Sequence, residues 1–318
     1  IFVILINNIV LLTMNKQITK ASILALSIVT FGAVSCSETG IPRSADVLIT
    51  GGMVYDGTGN EAFKADVAIV GDRIVYVGKA KGGIEKKCKA AKLIEADGYA
   101  VSPGFIDPHN HIENAASQPG SEGTQSYLRM GVTTAIFGQC GGSQFPLSDF
   151  YEKVEKGGVA LNVASFTGHN TIRSAVMGQV NRLATDEEIS RMKEILKKDM
   201  EAGSLGLSTG LFYVPGCFSE KKETVELCRT AAEYNGIYTT HVRSETKYNG
   251  GVYASTLEAL EIGREAGIPV NISHIKCLGK SVWGQSEKVA ALIEEYQSKG
   301  LKVSADQYPY LATGLSMS

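Results

Sequence analysis

The sequence has little net charge, no regular cysteine spacing and no long apolar run, and each shortage argues against a class of protein. Its 31 lysines and arginines nearly balance 33 acidic residues, so the net charge of −2 provides no attraction to nucleic acid. The six cysteines lack a compact framework spacing and predict no particular disulfide pair. Asparagines and lysines divide the apolar N-terminal stretch into pieces shorter than a bilayer span. The length of 318 residues and the 35 glycines are instead typical of an α/β enzyme with many tight loops.

The first 45 residues have the features of a targeting segment and a linker. From Met14, a short basic stretch precedes an apolar run of signal-peptide length that ends in small residues before Cys36. This order resembles a bacterial lipobox with Cys36 as the lipidated residue, although Ala33 replaces the usual larger aliphatic. We therefore expect residues 1–36 to be an upstream extension and a signal or lipoprotein peptide, and residues 37–45 to be a linker. The predicted location is the bacterial periplasm or cell surface, with a lipid anchor as the sole membrane contact.

Two regions with different sequence patterns follow the linker. Residues 46–100 contain short alternating strands with a hairpin turn at Gly71-Asp72, which predicts a small β domain. The segment Lys79–Lys92 is predicted to be a charged connection. From residue 101 to 318, apolar strands alternate with amphipathic helices, which predicts βα units and a parallel sheet.

Polar or metal-binding side chains recur about every thirty to forty residues, each at a predicted strand end. They are His109, Cys140, His169, Thr209, His241, His274 and Asp306. The spacing predicts a TIM-like (β/α)8 barrel of the α/β class, in which the carboxyl ends of the strands carry the active site. About seven strands are visible, so we expect a barrel that is incomplete at Ser318.

Five side chains at or next to these strand ends are candidate metal ligands. His109 and His111 are two residues apart at the end of an apolar strand, so both point to one side. Cys140 is flanked by glycines after the second strand, and His241 and His274 end the fifth and sixth strands. Cys140 could instead be a small buried residue, and each histidine could instead donate to a backbone carbonyl. Because thiolate and imidazole are good zinc ligands, their shared position favours one metal site.

The sequence resembles the amidohydrolase superfamily and, within it, the N-acyl-D-amino acid deacylases (D-aminoacylases). The resemblance runs from about Ala45 to the last residue. It rests on motifs at residues 103–111, 138–142, 167–173, 206–211, 240–245, 273–276 and 306–310. The implied activity is zinc-dependent hydrolysis of the amide bond of small-molecule N-acyl-D-amino acids, which gives a carboxylate and a free D-amino acid.

The resemblance also implies how metal and catalytic groups are arranged. It places a tight zinc on Cys140, His241 and His274, and a weaker second site at His109 and His111. The carboxylated lysine that bridges two metals in many amidohydrolases has no counterpart in the strand-four motif. The family's acid/base aspartate follows strand eight, so the catalytic residue is expected beyond the last residue given, and this length alone should be nearly inactive. Asp306, in the strand-seven motif, is expected to orient its neighbours instead.

Four further residues are candidates for contact with the substrate. Lys276 is the first candidate for its carboxylate and Arg243 the second, although Arg243 could instead pair with Glu245. Tyr308 could donate to the tetrahedral oxyanion or pack below the barrel rim. His169 is a weaker candidate, because its neighbours Asn170 and Thr171 could make the local contacts.

Two other functions remain open from the sequence. A cyclic-amide hydrolase of the hydantoinase or dihydroorotase kind would use the bridging lysine that strand four lacks. An inactive metal-binding lipoprotein fragment would keep the ligands without the catalytic aspartate.

Overall fold

The computed structural model describes residues 40–79, 83–118 and 122–314, so Cys36 and the predicted signal segment lie outside the described residues. The chain divides into two compact units. The first contains the described residues up to Phe105 together with Gln125–Thr133, and the second contains Ile106–Thr124 and the residues from Thr134 onward. The division therefore follows Phe105 rather than residue 100, and the first unit takes a later segment of chain.

The first unit is built on one small sheet. Its strands are β1 (Ser44–Val54), β2 (Phe63–Val70), β3 (Arg73–Gly78), β4 (Lys89–Glu95) and β5 (Ala100–Val101). Strand β2 pairs antiparallel with both β1 and β3, whereas β4 and β5 each pair parallel with β1. The predicted turn at Gly71-Asp72 is confirmed, since it joins β2 to β3 and Gly71 has a φ of 57°. Alternate residues of β1 and β2 bury an aliphatic core that includes Val47, Ile49 and Val67.

The prediction that Lys79–Lys92 is only a connection was wrong at its end. Lys89 begins β4, which pairs with β1 over its whole length. Most β4 side chains are exposed, and only Ala90 and Ile94 are partly buried. A strand held by backbone pairing with little burial has no clear apolar alternation, which is why its sequence did not indicate a strand.

From Phe105 onward, parallel strands and helices alternate, and most of them lie in the second unit. The strands are β6 (Phe105–Asp107), β7 (Val132–Phe137), β8 (Asn162–Ser165), β9 (Thr167–Gly168), β10 (Gly206–Gly210), β11 (Ile237–His241), β12 (Val270–Ile272) and β13 (Val303–Ala305). Their order is β6-β7-β8 in one sheet and β9-β10-β11-β12-β13 in the other. Only Phe166 separates β8 from β9, and its N–H donates to the carbonyl of Phe137 across the break. The predicted parallel βα arrangement is confirmed.

Helices alternate with these strands along the chain. They are α1 (Glu113–Ala116), α2 (Glu122–Arg129), α3 (Leu147–Gly157), α4 (His169–Met177), α5 (Asp186–Glu201), α6 (Lys221–Glu233), α7 (Gly251–Ala266) and α8 (Ser286–Ser298). Residues of α5, α6 and α7 pack on β10, β11 and β12 to form the main core, with Leu196, Leu207 and Tyr238 fully buried. A capping box between Thr185 and Glu188 begins α5. Within the described ranges, no helix is long and apolar enough to cross a membrane.

Candidate metal centre

Three donor atoms converge just beyond the carboxyl ends of the parallel strands. Cys140 Sγ lies 3.4 Å from Nε2 of His109 and 3.4 Å from Nε2 of His274. The three donor atoms lie within 4.8 Å of one another. In a tetrahedral zinc site, bond lengths of about 2.3 Å to sulfur and 2.0–2.1 Å to nitrogen put neighbouring donors about 3.5 Å apart. The residues therefore fit a zinc ion in both chemistry and spacing.

A second group of donors shares His274 with the first. It consists of His241, Glu245 and His274, and the two imidazole rings have centroids 4.4 Å apart. His241 Nδ1 is buried and has no hydrogen-bond partner among the described residues. The structure thus gathers four of the five predicted ligands, and it groups His109, rather than His241, most closely with Cys140.

The fifth predicted ligand, His111, lies beside this centre. Its ring centroid is 5.5 Å from that of His109, and the rings meet edge to face. Among the described residues, His111 joins neither of the three-residue groups. Burial lowers its pKa, with nearby Glu113 opposing that effect, so the neutral form that can bind a metal is favoured. A second site at His109 and His111 stays a prediction.

The backbone is strained at two of the candidate ligands. Cys140 has a φ of 54° and His274 a φ of 35°, a region that side chains with a Cβ rarely adopt. Glycine next to Cys140 is required, because a Cβ on Gly141 would lie 2.5 Å from Asn170 Oδ1 and 2.6 Å from the nitrogen of Gly210. Strain of this kind is concentrated at functional sites, where the surrounding structure must maintain it.

Burial favours the neutral forms of Cys140 and His241. It raises the pKa of the Cys140 thiol to about 12, and the carboxylates of Asp306 and Glu245 act in the same direction. Burial also lowers the pKa of His241 to about 3, against the opposing effect of Glu245. The imidazole lone pair is therefore available, whereas the thiol becomes a ligand only when a cation displaces its proton.

Two carboxylates lie behind the imidazoles. Asp306 Oδ1 accepts a hydrogen bond of 2.7 Å from the N–H of His274 and lies 3.3 Å from Nδ1 of His109. Glu245 Oε1 lies 3.0 Å from Nδ1 of His274. Lys276 Nζ also lies 2.8 Å from Nδ1 of His274. A carboxylate beside Nδ1, with Nε2 directed to the metal, is the usual support for a metal-binding histidine. The contacts of Asp306 agree with the predicted orienting role.

The role of Glu245 was missed, since the sequence offered it only as a partner for Arg243. Arg243 instead binds Glu258 with two nitrogens, each 2.9 Å from a carboxylate oxygen, and donates to the carbonyls of Cys217 and Ser219. These contacts use its donors within the protein. The only sequence signal for Glu245 was its place in the motif at residues 240–245, because no spacing rule connects it to His274.

Lys276 lies within the candidate centre. Its Nζ donates to Glu245 Oε1 at 2.5 Å and to the carbonyl of His274 at 2.8 Å, and it lies 5.4 Å from the ring centroid of Tyr308. The Tyr308 ring stacks on Tyr310, which is exposed. The structure therefore brings Lys276 and Tyr308 together beside His274.

His169 begins α4 rather than ending a strand, and its side chain has no exposed surface. Its Nε2 lies 2.7 Å from Glu223, whose carboxylate also binds Arg173 at 3.0 Å. This burial argues against the predicted substrate contact, which would need an exposed edge of the ring. The neighbours Asn170 and Thr171 make the contacts towards the centre, as the alternative interpretation expected.

Sequence comparison identifies relatives of this chain, although no model of a protein family matches it. The D-aminoacylase of Alcaligenes xylosoxydans xylosoxydans is 34% identical over 290 residues, which are 84% of this chain and 58% of that protein. The N-acyl-D-glutamate deacylase of the same organism is 32% identical over 83% of this chain and 57% of that protein. The crystal structure of D-aminoacylase superposes with a TM-score of 0.76, covering 84% of this chain and 59% of that one.

The chain is similar to D-aminoacylases and other N-acyl-D-amino acid deacylases of the amidohydrolase family. A second member of this family, the N-acyl-D-glutamate deacylase of Bordetella bronchiseptica, was solved with zinc and a phosphonate mimic of the tetrahedral intermediate. It is 31% identical, with a TM-score of 0.75 over 84% of this chain and 59% of that one. The amidohydrolase barrel predicted from the sequence is thereby confirmed as the fold class. The chain spans about 58% of the length of the curated D-aminoacylase that it matches.

Proposed function

We propose that the protein hydrolyses the amide bond of N-acyl-D-amino acids and releases a carboxylate and a free D-amino acid. The observation that carries this proposal is the convergence of one thiol and two imidazole nitrogens, 3.4 Å from sulfur to each nitrogen, at the carboxyl ends of the strands. Similarity to a D-aminoacylase and an N-acyl-D-glutamate deacylase supports the choice of substrate class.

The residues that would hold zinc are the five predicted ones. We propose a tight site on Cys140, His241 and His274 and a weaker site at His109 and His111, with His109 close enough to Cys140 to be shared. When bound, zinc supplies a Lewis acid that polarises the amide carbonyl and makes water acidic enough to ionise near neutral pH. The rest of the chemistry belongs to the side chains of the chain.

Those side chains orient ligands and bind substrate. Glu245 and Asp306 lie 3.0 Å from Nδ1 of His274 and 3.3 Å from Nδ1 of His109, where we propose that they orient the two imidazoles. Lys276 contacts Glu245 Oε1, the His274 carbonyl and His274 Nδ1, so we propose that the substrate carboxylate replaces one of these contacts. Tyr308, next to Lys276, is proposed to donate to the oxyanion.

Hydrolysis assays on three substrates test the proposed function. The full-length, zinc-loaded protein is given an N-acetyl-D-amino acid, its L enantiomer and a cyclic ureide such as a substituted hydantoin. We expect the D substrate to be cleaved much the fastest. Faster opening of the cyclic ureide would favour a hydantoinase-like enzyme, and zinc binding without cleavage of any substrate would favour an inactive metal-binding protein.

We also propose export of the protein and lipidation of Cys36. The support is the order of a basic stretch, an apolar run of signal-peptide length and small residues before the cysteine. The segment lies outside the described residues, so the proposal depends on its sequence alone.

A further inference from the structure

We infer that Asn170 is a positioning residue for the metal centre, joining the loop that carries Cys140 to the turn that packs on His241. The inference rests on the proposed metal site and goes beyond its ligands. Asn170 itself lies on the first turn of α4, buried and with an exposed fraction of 9%.

A buried ion-pair network holds the first turn of α4 in place. His169 and Arg173 lie one helical turn apart and both contact the carboxylate of Glu223 on α6, at 2.7 and 3.0 Å. Arg173 also donates to the carbonyl of Arg182, just before α5. All three side chains of this ion-pair network are fully or almost fully buried, so breaking it would leave a buried charge without a partner. The start of α4 is therefore a rigid support.

On one side, this support holds the loop after β7. The N–H of Thr171 donates to the carbonyl of Gly141 at 3.2 Å, and Thr171 Oγ1 accepts from the N–H of Ser143 at 2.9 Å. Ser143 Oγ in turn accepts from the N–H of Gly168. These bonds fix the residues that follow Cys140, whose positive φ needs an external constraint.

On the other side, Asn170 holds the turn after β10. Its Nδ2 donates to the carbonyl of Gly210 at 3.3 Å and to that of Tyr213 at 3.4 Å. Between those carbonyls lies Phe212, which stacks on His241 with ring centroids 5.7 Å apart, while Tyr213 meets His241 edge to face at 4.7 Å. The amide of Asn170 therefore sets the turn that orients one proposed ligand.

The space around Asn170 leaves no room for a different arrangement. A Cβ added to Gly141 or Gly216 would lie 2.5 or 2.4 Å from Asn170 Oδ1. The loop of Cys140 and the turn after β10 also touch directly, since a Cβ on Gly210 would lie 2.1 Å from the carbonyl oxygen of Cys140. The Asn170 amide therefore packs closely against both ligand-bearing segments.

Cobalt provides a readout that does not depend on catalysis. The full-length protein, loaded with Co²⁺, is compared as wild type and Asn170→Ala by visible absorption, by the rate of cobalt loss to a chelator, and by kcat and KM. We expect a changed cobalt spectrum and cobalt loss faster by about 10-fold, as for other residues that support metal ligands. We expect kcat to fall more than KM changes.

The matched control is Leu260→Ala, a fully buried residue that packs between α7 and α8. It should lower Tm and leave the cobalt spectrum unchanged. If Asn170→Ala does not fold, Asn170→Asp takes its place, because it keeps the shape of the side chain. It replaces the Nδ2 donor by an oxygen that faces the carbonyls of Gly210 and Tyr213. Gly216→Ala, which displaces the amide without deleting it, should also alter the spectrum.

An unchanged spectrum and unchanged cobalt loss in Asn170→Ala or Asn170→Asp, with only a lower Tm, would overturn the inference and make Asn170 a structural residue. Absence of a thiolate–cobalt band in the wild type would overturn it together with the proposed metal site. A normal wild-type band without deacylase activity would count against the proposed function alone, because the spectral comparison would still decide the role of Asn170.

Discussion

At the residue scale, Lys276 separates substrate binding from metal binding. Lys276→Met should leave the zinc content unchanged, because a protonated ammonium cannot be a ligand. It should lower kcat/KM for N-acyl-D-amino acids at least ~10-fold, which corresponds to ~1.4 kcal/mol of lost charge-assisted bonding. Steady-state kinetics on these acids and on the matching amides, which lack the carboxylate, provides the measurement.

The amides should lose much less activity than the acids. Lys280→Met is the matched control, since Lys280 is exposed a few residues further along the same loop and should affect neither substrate. An equal loss on acids and amides would assign Lys276 to the support of Glu245 and His274, which it contacts in the structure.

The sequence indicated which residues are candidate metal ligands better than it indicated which residues contact those ligands. Strand periodicity and a spacing of two residues were sufficient to select His109 and Cys140, because strand ends in a parallel barrel share one face. The contact of Glu245 with His274 joins separate loops, and no local pattern indicates it. The left-handed backbone of Cys140 was likewise indicated only indirectly, by the glycines around it.

At the element scale, the N-terminus of α5 depends on its capping box. Thr185 Oγ1 accepts from the N–H of Glu188 at 3.2 Å, and Glu188 Oε2 accepts from the N–H of Thr185 at 2.9 Å. Thr185→Ala should lower the free energy of unfolding by about 1 kcal/mol, as measured by urea denaturation. Ser190→Ala, inside the same helix, should change it little, and equal effects of both variants would argue against the cap.

Elements were predictable where their apolar pattern was strong. The strands at the main core contribute buried apolar side chains, among them Leu207, Tyr238 and Val270. Strand β4 escaped prediction because pairing with β1, rather than burial of its lysine-rich side chains, holds it in place. His169 directly follows β9, as a strand-end residue would, but it is also the first residue of α4, and its side chain is buried against Glu223.

At the scale of the whole molecule, we propose that residues 1–36 direct export and that Cys36 is lipidated. Labelled fatty acid should enter the wild-type protein in a bacterial host and should not enter Cys36→Ala. Cys277→Ala, a partly buried free cysteine far along the chain, serves as the control and should be labelled like the wild type. Equal labelling of all three proteins, or a cytoplasmic product that retains Met14, would contradict the proposed lipidation.

The central claim is that Cys140 and the histidines around it form a zinc site, and the zinc content of the dialysed full-length protein tests it most directly. The account predicts about one tightly held zinc per chain in the wild type and in Cys277→Ala. It predicts loss of that zinc in Cys140→Ala, because removing one ligand undermines tetrahedral coordination. Full retention of zinc by Cys140→Ala after dialysis would contradict the account.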